Sequence, residues 1–333
     1  MHYTDAQGLE GILSNNTLWA THGSCTNDGK ELQIGLEVLE RFWETAFWDD
    51  EKFEKCLIRQ SINIYQLKVE EQRLGAKNFW EERLKELCQL SRQAAENVDT
   101  YLISFSQTKA GETYIQKNGR LSQWRAYGDY GIVFRQEEFE QTCNDFRNPN
   151  EPELDGGRII TAPVVYFDPE EKINSNFLFY EDFYNHISLC QKMSEFKSEL
   201  VQQPIGIHYT LILIESFLKI FFAVKDKGFE EESEYRLILT NGRLPTDRIP
   251  NVDQKSTGNR LREKNRRTFI RRNRIVPYTD FFAPKTPLPI EKILIGPAPE
   301  EEQQRRKAGV DILLRRLGKE HIDVHCSAIP YRG

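Results

Sequence analysis

Segments with the two-residue alternation of β-strands recur along this 333-residue chain, and they are too numerous for strict alternation with helices. They are a first strand that starts with residues 2–4 and the segments 18–21, 100–106, 131–135, 158–167, 234–240, 269–278, 292–295 and 321–326. The helical period is found at residues 7–14, 177–196, 204–224 and 300–317. Regular alternation of strands and helices predicts a parallel sheet, whereas strands that follow one another favour antiparallel pairing. The sequence therefore predicts an α+β fold, with a mixed or antiparallel sheet surrounded by helices.

The length and composition favour a single domain over residues 1–333. Hydrophobic residues make up 39% of the chain and aromatic residues 11%, which is enough for a core and excludes wholesale disorder. Residues 32–97 have a helical period and lie between two strand-like segments. We therefore expect this segment to be a helical insertion.

The sequence favours a protein of the reducing cytoplasm without a membrane partner. The longest mainly apolar run, 210–224, is interrupted by Glu215 and Lys219, and no secretory signal is visible at the N-terminus. The six cysteines are scattered and form no Cys-x-x-Cys pair, so neither a disulfide framework nor a zinc site is indicated.

Charge is distributed unevenly along the chain. Residues 1–240 hold 25 basic and 40 acidic residues, a net charge of −15, while residues 241–333 hold 20 and 11, a net charge of +9. The acidic part argues against nucleic acid wrapping the whole surface. The basic part leaves room for a local contact with a polyanion.

The basic residues are concentrated in a segment, 255–274, that is predicted to be a loop. Eight of them fall between Arg260 and Arg274, which suits a contact with phosphates. The predicted nucleic-acid contacts are Arg266, Arg267, Arg271 and Arg272. Phe269 is the one aromatic residue between Arg260 and Arg274, so base stacking is not predicted there. A solvated loop is the alternative interpretation.

Two short motifs carry polar side chains on predicted strands. His2 begins the first strand, followed by Tyr3 and Thr4, and its imidazole can donate a hydrogen bond to a ribose hydroxyl or act in acid–base chemistry. Ser104 and Ser106 lie two residues apart, so a strand directs both hydroxyls to one face. Two hydroxyls above a cleft can hold a sugar or an amide. A surface histidine and a polar strand edge are the structural alternatives.

Residues 122–128 read Ser-Gln-Trp-Arg-Ala-Tyr-Gly and are predicted to be a short helix or turn. Trp124 is expected to fill the core. Arg125 has a fork of donors that suits a phosphate, and the ring of Tyr127 can stack on an aromatic ligand. A packing helix with a structural arginine is the alternative.

An acidic run, 230–234, leads directly into the apolar strand 234–240. In an extended segment, Glu232 and Glu234 project to the same face. Two carboxylates in one cleft can divide the work, one staying ionised to stabilise positive charge and the other orienting or deprotonating a nucleophile. The alternative is a solvated acidic loop.

The order of the motifs resembles that of a bacterial family known as domain of unknown function 2971. The motifs that carry the resemblance are His2-Tyr3-Thr4, Asn27-Asp28-x-x-Glu31, Ser104-Phe105-Ser106, Gln123-Trp124-Arg125-x-Tyr127-Gly128, Glu231-x-x-Glu234-Tyr235-Arg236, Val276-Pro277-Tyr278 and Ile295-Gly296-Pro297. The resemblance extends from His2 to Arg332 and is weakest at residues 36–97 and 255–268. That family has no settled activity, so the resemblance by itself implies no reaction.

The chain also resembles, more remotely, the ADP-ribosyltransferase superfamily, in which a His strand, a Ser-x-Ser strand and a Glu-x-Glu strand follow in this order. This resemblance implies a split sheet and NAD as the substrate. By position, His2 would hold the ribose, and the hydroxyls of Ser104 and Ser106 would support the nicotinamide. Glu234 would stabilise the positive charge that develops on the ribose, while Glu232 would orient or deprotonate the acceptor.

The remaining roles and partners follow from the same resemblance. Arg125 would meet the pyrophosphate, and either Tyr127 or Phe105 would stack on the nicotinamide. The acceptor would be a protein, a nucleic acid or water, so the activity would be ADP-ribosyl transfer or NAD hydrolysis. Analogy within the superfamily implies antiphage or toxin-like defence and a neutralising partner protein.

Two other functions stay open at this point. One is a non-catalytic module that binds a nucleotide or nucleic acid through the same cleft and the basic segment. The other is a nuclease in which Glu231, Glu232 and Glu234 hold Mg²⁺. The leading hypothesis, in contrast, predicts no metal site.

Overall fold

The computed structural model describes residues 1–25, 31–41, 100–109, 111–146, 158–170, 218–240, 266–271, 273–281 and 287–330. The strands are β1 (His2–Thr4), β2 (Leu18–His22), β3 (Thr100–Ser106), β4 (Tyr130–Phe134), β5 (Arg158–Pro163), β6 (Val165–Phe167), β7 (Val224–Asp226), β8 (Glu234–Thr240), β9 (Arg266–Arg271), β10 (Arg274–Phe281), β11 (Ile290–Ile295) and β12 (Asp323–Cys326). The α-helices are α1 (Ala6–Asn15), α2 (Glu31–Arg41), α3 (Thr113–Asn118), α4 (Leu121–Tyr127), α5 (Gln136–Phe146) and α6 (Glu300–Arg316), and 3-10 helices span Gly23–Cys25 and Lys227–Glu232. Residues 42–97 of the predicted insertion and the predicted helix 177–196 lie outside the described residues.

The strands of the described residues pair into three sheets. The largest has the order β5-β8-β3-β2-β10-β9, and all its neighbouring strands are antiparallel. A four-stranded sheet has the order β1-β4-β11-β12, in which β11 and β12 are parallel and the other pairs antiparallel. β6 and β7 form a short parallel pair. This mixed pairing, accompanied by helices, confirms the predicted α+β class.

One apolar core joins the two larger sheets to helices α1, α5 and α6. Alternate residues of β3 (Tyr101, Ile103 and Phe105) belong to this core, as do Leu237 and Leu239 of β8. Because side chains alternate along a strand, the residues between them lie on the opposite face of the six-stranded sheet. We call that opposite face the outer face.

Helix α1 forms where its apolar spacing predicts it. Leu9, Ile12 and Leu13 are buried and lie on one side of the helix. The side chain of Asp5 accepts a hydrogen bond of 2.7 Å from the amide of Gly8 and caps the N-terminus. The helix therefore starts directly after β1 and packs into the core.

Strand β3 contacts both larger sheets. Its first half pairs with β2 through Tyr101 and Leu102. Towards its end, the Ser106 amide donates to the carbonyl of Met1 at 2.7 Å, and the Met1 nitrogen donates to the Ser106 carbonyl at 2.8 Å. The two sheets therefore diverge beside residues 104–106, where β1 takes the place of β2 next to β3.

Trp124 packs α4 against the four-stranded sheet. Its indole N–H donates to the carbonyl of Asn118 at 2.9 Å, and its ring meets the ring of Tyr3 edge-on at a centroid distance of 4.7 Å. Gly131 and Gly296 leave room for the indole, since a Cβ at either position would lie 3.0 Å or less from it. Trp124 is buried, which confirms its predicted place in the core.

The predicted strand 158–167 is wrong in one respect, because the structure divides it between two sheets. β5 ends at Pro163, whose missing N–H cannot extend a ladder of hydrogen bonds. The amide of Val165 then donates to the carbonyl of Ala223, and β6 pairs with β7. The predicted helix 204–224 is also too long, since its described end at residues 218–222 is helical but Val224 begins β7.

The predicted strand 269–278 and the predicted basic loop 255–274 are corrected in the same way. β9 and β10 form an antiparallel pair, and Asn273 stands in a turn directly before β10. Asn273 has a φ of 60°, a left-handed conformation that asparagine tolerates. Residues 266–271 are therefore strand rather than loop, because β9 forms the edge of the sheet. Residues 255–265 lie outside the described residues.

Among the described residues, no helix combines the length and the apolar character that crossing a membrane requires.

Candidate functional site

The Ser-x-Ser and Glu-x-Glu motifs meet on the outer face of the six-stranded sheet. In the pairing of β3 with β8, Ser106 lies opposite Glu234 and Ser104 lies opposite Arg236. Directly opposite residues of antiparallel strands direct their side chains to the same face. These four side chains therefore form one polar group, which we call the outer-face cluster together with Lys225 and Glu232.

Glu234 is the centre of the cluster. It is 6% exposed, and its Oε1 accepts a hydrogen bond from Nε of Arg236 at 2.8 Å. Its Oε2 accepts one from Nη2 of Arg236 at 3.2 Å and lies 2.8 Å from Nζ of Lys225. Arg236 is itself fixed, because its Nη1 donates to the carbonyl of Phe222 at 2.7 Å. A buried carboxylate with two cationic partners is compensated in charge and held rigidly.

The ionisation of Glu234 is set by these partners. Burial alone raises the pKa of a carboxyl group, but the charges of Arg236 and Lys225 outweigh it and lower the pKa of Glu234 to about 2. Glu234 is therefore a carboxylate at neutral pH. Its backbone N–H donates to the hydroxyl of Tyr166 at 2.7 Å, and burial raises the pKa of that hydroxyl to about 12, so Tyr166 stays protonated.

Lys225 is a site residue that the sequence did not single out. Its Nζ lies 2.7 Å from Oε2 of Glu232 and 2.8 Å from Oε2 of Glu234, so one ammonium group bridges both predicted catalytic carboxylates. The ammonium also lies 5.3 Å from the ring centre of Phe229, within the range of a cation–π interaction. The sequence does contain a signal for this residue, because Lys225 directly follows the apolar run 210–224. A lysine that is buried beside such a run needs a partner of opposite charge.

Glu232 reaches the cluster in a way that the sequence did not predict. The segment before β8 is a 3-10 helix rather than an extended strand, and Ser233 follows it with a left-handed φ of 45°. The hydroxyl of Ser106 donates to the carbonyl of Glu232 at 2.9 Å and fixes this turn. The turn, rather than strand alternation, brings the two carboxylates to the same lysine.

His2 lies at the divergence of the two sheets. Its Nδ1 is 3.0 Å from the carbonyl of Ser104, and its ring centre is 5.7 Å from that of Phe105. Burial lowers the pKa of His2. Since Phe105 faces the core and the serine hydroxyls face outward, the imidazole lies near the Ser-x-Ser strand but on the inner side of its backbone.

The other residues of the first strand support the fold. Tyr3 is buried against Trp124, and its hydroxyl accepts a hydrogen bond of 2.8 Å from the amide of Arg120. Burial raises the pKa of Tyr3 to about 12. Thr4 packs against α1, where a Cβ on Gly8 would collide with its hydroxyl. In this structure, Tyr3 therefore belongs to the packing of α4.

Helix α4 packs beside β1 and beside the 3-10 helix that carries Glu232. Arg125 is exposed on this helix. Tyr127 is half-buried and packs against the small apolar cluster around Trp124. Arg125 is thus available to a ligand near the outer-face cluster, whereas Tyr127 contributes to packing.

A cavity of about 380 Å³ opens at the end of β3, beside Met1 and Ser106. Aromatic side chains and amides share its wall. They include Phe105, Phe134, Tyr235, Gln107 and Gln136. A pocket of this volume and lining suits a planar ring with polar substituents.

The basic residues fall on a second surface of the outer face. Arg267 and Arg271 lie on β9; the side chain of Arg266 and the whole of Arg272 lie outside the described residues. Contrary to the expectation that no stacking surface exists here, the fold brings Trp19 and Tyr278 to Phe269. These rings come from three different strands, so no local pattern in the sequence indicates the grouping.

The acidic run does not form a metal site in the described part of the chain. No group of three or more histidine, cysteine, aspartate or glutamate residues there is arranged to hold a metal ion. Glu231 is exposed, and the carboxylates of Glu232 and Glu234 are directed at Lys225. The geometry therefore does not favour the Mg²⁺-dependent nuclease.

These features define an α+β protein with a buried acid–base cluster beside the divergence of two sheets. Residues 123–237, from α4 to β8, match the model of the family described as "Protein of unknown function (DUF2971)", so the predicted resemblance to this family is confirmed over that stretch. The matched segment includes Arg125, Glu232 and Glu234 but not the first strand or β3. No curated protein and no solved structure matches the chain.

Proposed function

We propose that the protein is an NAD-consuming enzyme of the ADP-ribosyltransferase type, with its site beside the end of β3. The observation that most supports this is the position of Ser106. Its backbone bonds to Met1 beside the His2 strand, its hydroxyl donates to Glu232, and it lies opposite Glu234. The Ser-x-Ser and Glu-x-Glu motifs thus meet at Ser106, and the first strand begins beside it with the His2 imidazole on the inner side of β3.

Glu234 has the charge state that the reaction needs. Breaking the bond between nicotinamide and ribose develops positive charge on the ribose, which a fixed carboxylate stabilises. Arg236 and Lys225 keep Glu234 ionised and hold its orientation. Glu232, the less buried of the two carboxylates, would then orient the acceptor or accept its proton.

The surroundings of the cluster supply contacts for the rest of NAD. The nicotinamide ring would enter the cavity past the end of β3, on the side of Phe105 and Tyr235, with the cavity's amides bonding the carboxamide group. Arg125 would meet the pyrophosphate from α4. Because Glu234 is almost fully buried, the ribose would reach it after the exposed ring of Phe229, which lies beside the Lys225 ammonium, moves aside.

Release of nicotinamide from NAD tests the proposal, with a protein extract, single-stranded oligonucleotides or water offered as acceptors. Glu234→Gln keeps the shape of the side chain and removes its charge. We expect it to lower the rate about 100-fold or more, as when a charge-stabilising group is lost elsewhere. The matched control is Glu230→Gln, which changes an exposed carboxylate on the 3-10 helix just before β8. Among the described ion pairs, Glu230 contacts Lys227 at 3.4 Å and no residue of the cluster.

The folded state of each variant is checked by its thermal unfolding and near-ultraviolet circular dichroism. If Glu234→Gln does not fold, Glu232→Gln tests the same site at a less buried carboxylate. The proposal fails if NAD is neither bound nor consumed with any acceptor. It also fails if folded Glu234→Gln releases nicotinamide at the unchanged rate.

A further inference from the structure

Three aromatic rings and a row of arginines share the part of the outer face formed by β2, β10 and β9. The rings are those of Trp19, Tyr278 and Phe269, and we call this surface the Trp19 face. We propose that the Trp19 face binds single-stranded nucleic acid, with a base stacked on Trp19 and the phosphates bound by the arginines. This binding site is separate from the outer-face cluster and does not depend on the proposed NAD chemistry.

The strand register places these side chains on one face. Tyr278 lies opposite both Thr21 of β2 and Arg267 of β9, and Trp19 lies opposite Asp280. Directly opposite residues point the same way, and so do alternate residues of one strand. Trp19, Tyr278 and Arg267 therefore all face outward.

The rings form a compact and oriented group. The centroid of Trp19 lies 4.4 Å from that of Tyr278 and 5.7 Å from that of Phe269, and Phe269 lies 5.6 Å from Tyr278. The side chain of Trp19 also hydrogen-bonds to the carboxylate of Asp280. Neighbouring rings and a hydrogen bond thus hold the indole in one orientation, which lowers the entropy lost on binding.

Trp19 is 37% exposed even though it lies in the middle of a sheet face. Tyr278 beneath it is buried. Stacking of a base on such a ring contributes about 1–3 kcal/mol and tolerates any base, because every base has a π face. The exposed indole is therefore the platform, and Tyr278 and Phe269 support it.

The arginines lie beside the rings in a line. Arg267 and Arg271 alternate with Phe269 along β9, and Arg274 lies opposite Arg271 on β10. Arg267 and Arg271 are four residues apart on one strand, about 13 Å, so the guanidinium groups form a linear array rather than a pocket for one phosphate. The side chain of Arg267 is 59% exposed and lies 3.2 Å from Asp280, which joins the array to Trp19.

The rings and the arginines together fit single-stranded nucleic acid better than other ligands. A linear array of cations fits a polymer of phosphates better than a free nucleotide. A duplex keeps its bases stacked on one another, whereas a single strand offers unstacked bases to an aromatic ring. An acidic protein segment has charge but no base to stack on Trp19.

Fluorescence anisotropy with a labelled 20-nucleotide DNA of mixed sequence, its RNA counterpart and the matching duplex tests this. We expect both single strands to bind more tightly than the duplex. Trp19→Ala should weaken single-strand binding about tenfold, while Trp19→Phe should restore most of it. Arg267→Gln should weaken binding and lower the slope of log affinity against log salt by about one.

The matched controls are Tyr114→Ala, which removes an exposed ring on α3, and Arg305→Gln, which removes an exposed arginine on α6. Neither should change the affinity. The proposal is overturned if the single strands do not bind, if the duplex or poly-glutamate binds as tightly, or if Tyr114→Ala matches Trp19→Ala. Since none of these variants touches the outer-face cluster, nicotinamide release by Trp19→Ala separates a failure of this site from a failure of the NAD site.

Discussion

Lys225 is buried between two carboxylates, with its Nζ 2.7 Å from Glu232 and 2.8 Å from Glu234. With Arg236, the cluster contains two cations and two anions, so its charges balance inside a region that excludes water. Removal of one charged side chain leaves a buried opposite charge without a partner. The free energy lost in this way is larger than the net stabilisation that the intact ion pairs provide. The outer-face cluster is therefore sensitive to single substitutions.

Lys225→Met keeps the length of the side chain and removes its charge. We expect it to lower the free energy of unfolding by about 3–5 kcal/mol, as in other buried ion pairs that lose one partner. The measurement is urea unfolding followed by circular dichroism. The matched control is Lys227→Met, whose partner Glu230 is exposed, and we expect a change of about 0–1 kcal/mol there. Equal losses in the two variants would contradict a buried, energetically coupled cluster.

The turn from α4 into β4 is the element that holds the Arg125 helix against β1. Gly128 ends the helix with φ 128° and ψ −173°, a conformation that is open essentially to glycine alone. A Cβ there would also lie 2.5 Å from the carbonyl oxygen of Thr4. Both the backbone conformation and the close contact with β1 therefore require glycine at this position.

Gly128→Ala should lower the free energy of unfolding by about 1–3 kcal/mol, from the strained backbone alone. Gly309→Ala is the matched control in helix α6, since a Cβ there has no neighbour within 4 Å. It should instead raise the free energy of unfolding by about 0.5–1 kcal/mol, because alanine is the better helix former. Thermal or urea unfolding measures the free energy of unfolding of both variants. A stabilising Gly128→Ala would show that the turn does not require glycine.

The stability of the whole molecule in acid depends on the ionisation of Glu234 in the cluster. Burial works against ionisation of Glu234, yet Arg236 and Lys225 lower its pKa to about 2, from 4.5 for an ordinary glutamate. A carboxyl group with a lowered folded-state pKa stabilises the fold above its unfolded value, and this contribution is lost as the pH falls through the folded value.

We therefore expect the free energy of unfolding to decrease between pH 4.5 and pH 2. Glu234→Gln should be less stable at neutral pH and should show a shallower decrease across that window. Urea unfolding at a series of pH values measures both slopes. Glu230→Gln should keep the slope of the unchanged protein, and an equally steep decrease in Glu234→Gln would assign the acid sensitivity to other carboxylates.

The elements that the sequence predicted well are those with a strong local pattern. β3, β8 and helix α6 begin and end within two residues of their predicted bounds, and β1 begins at His2 as predicted. The predictions failed where the chain leaves one neighbouring strand and pairs with another. Pro163 and Asn273 divide predicted strands because of one missing donor and one left-handed residue.

The sequence by itself determined the α+β class, the core positions and the pairs of serines and glutamates whose spacing suits one face of a strand. Each of these depends on residues a few positions apart, which local periodicity reports. Only the tertiary structure decided that Lys225 bridges the two carboxylates and that Trp19 meets Phe269. These contacts join strands far apart in the chain, and their positions depend on sheet order and register, which result from packing of the whole core.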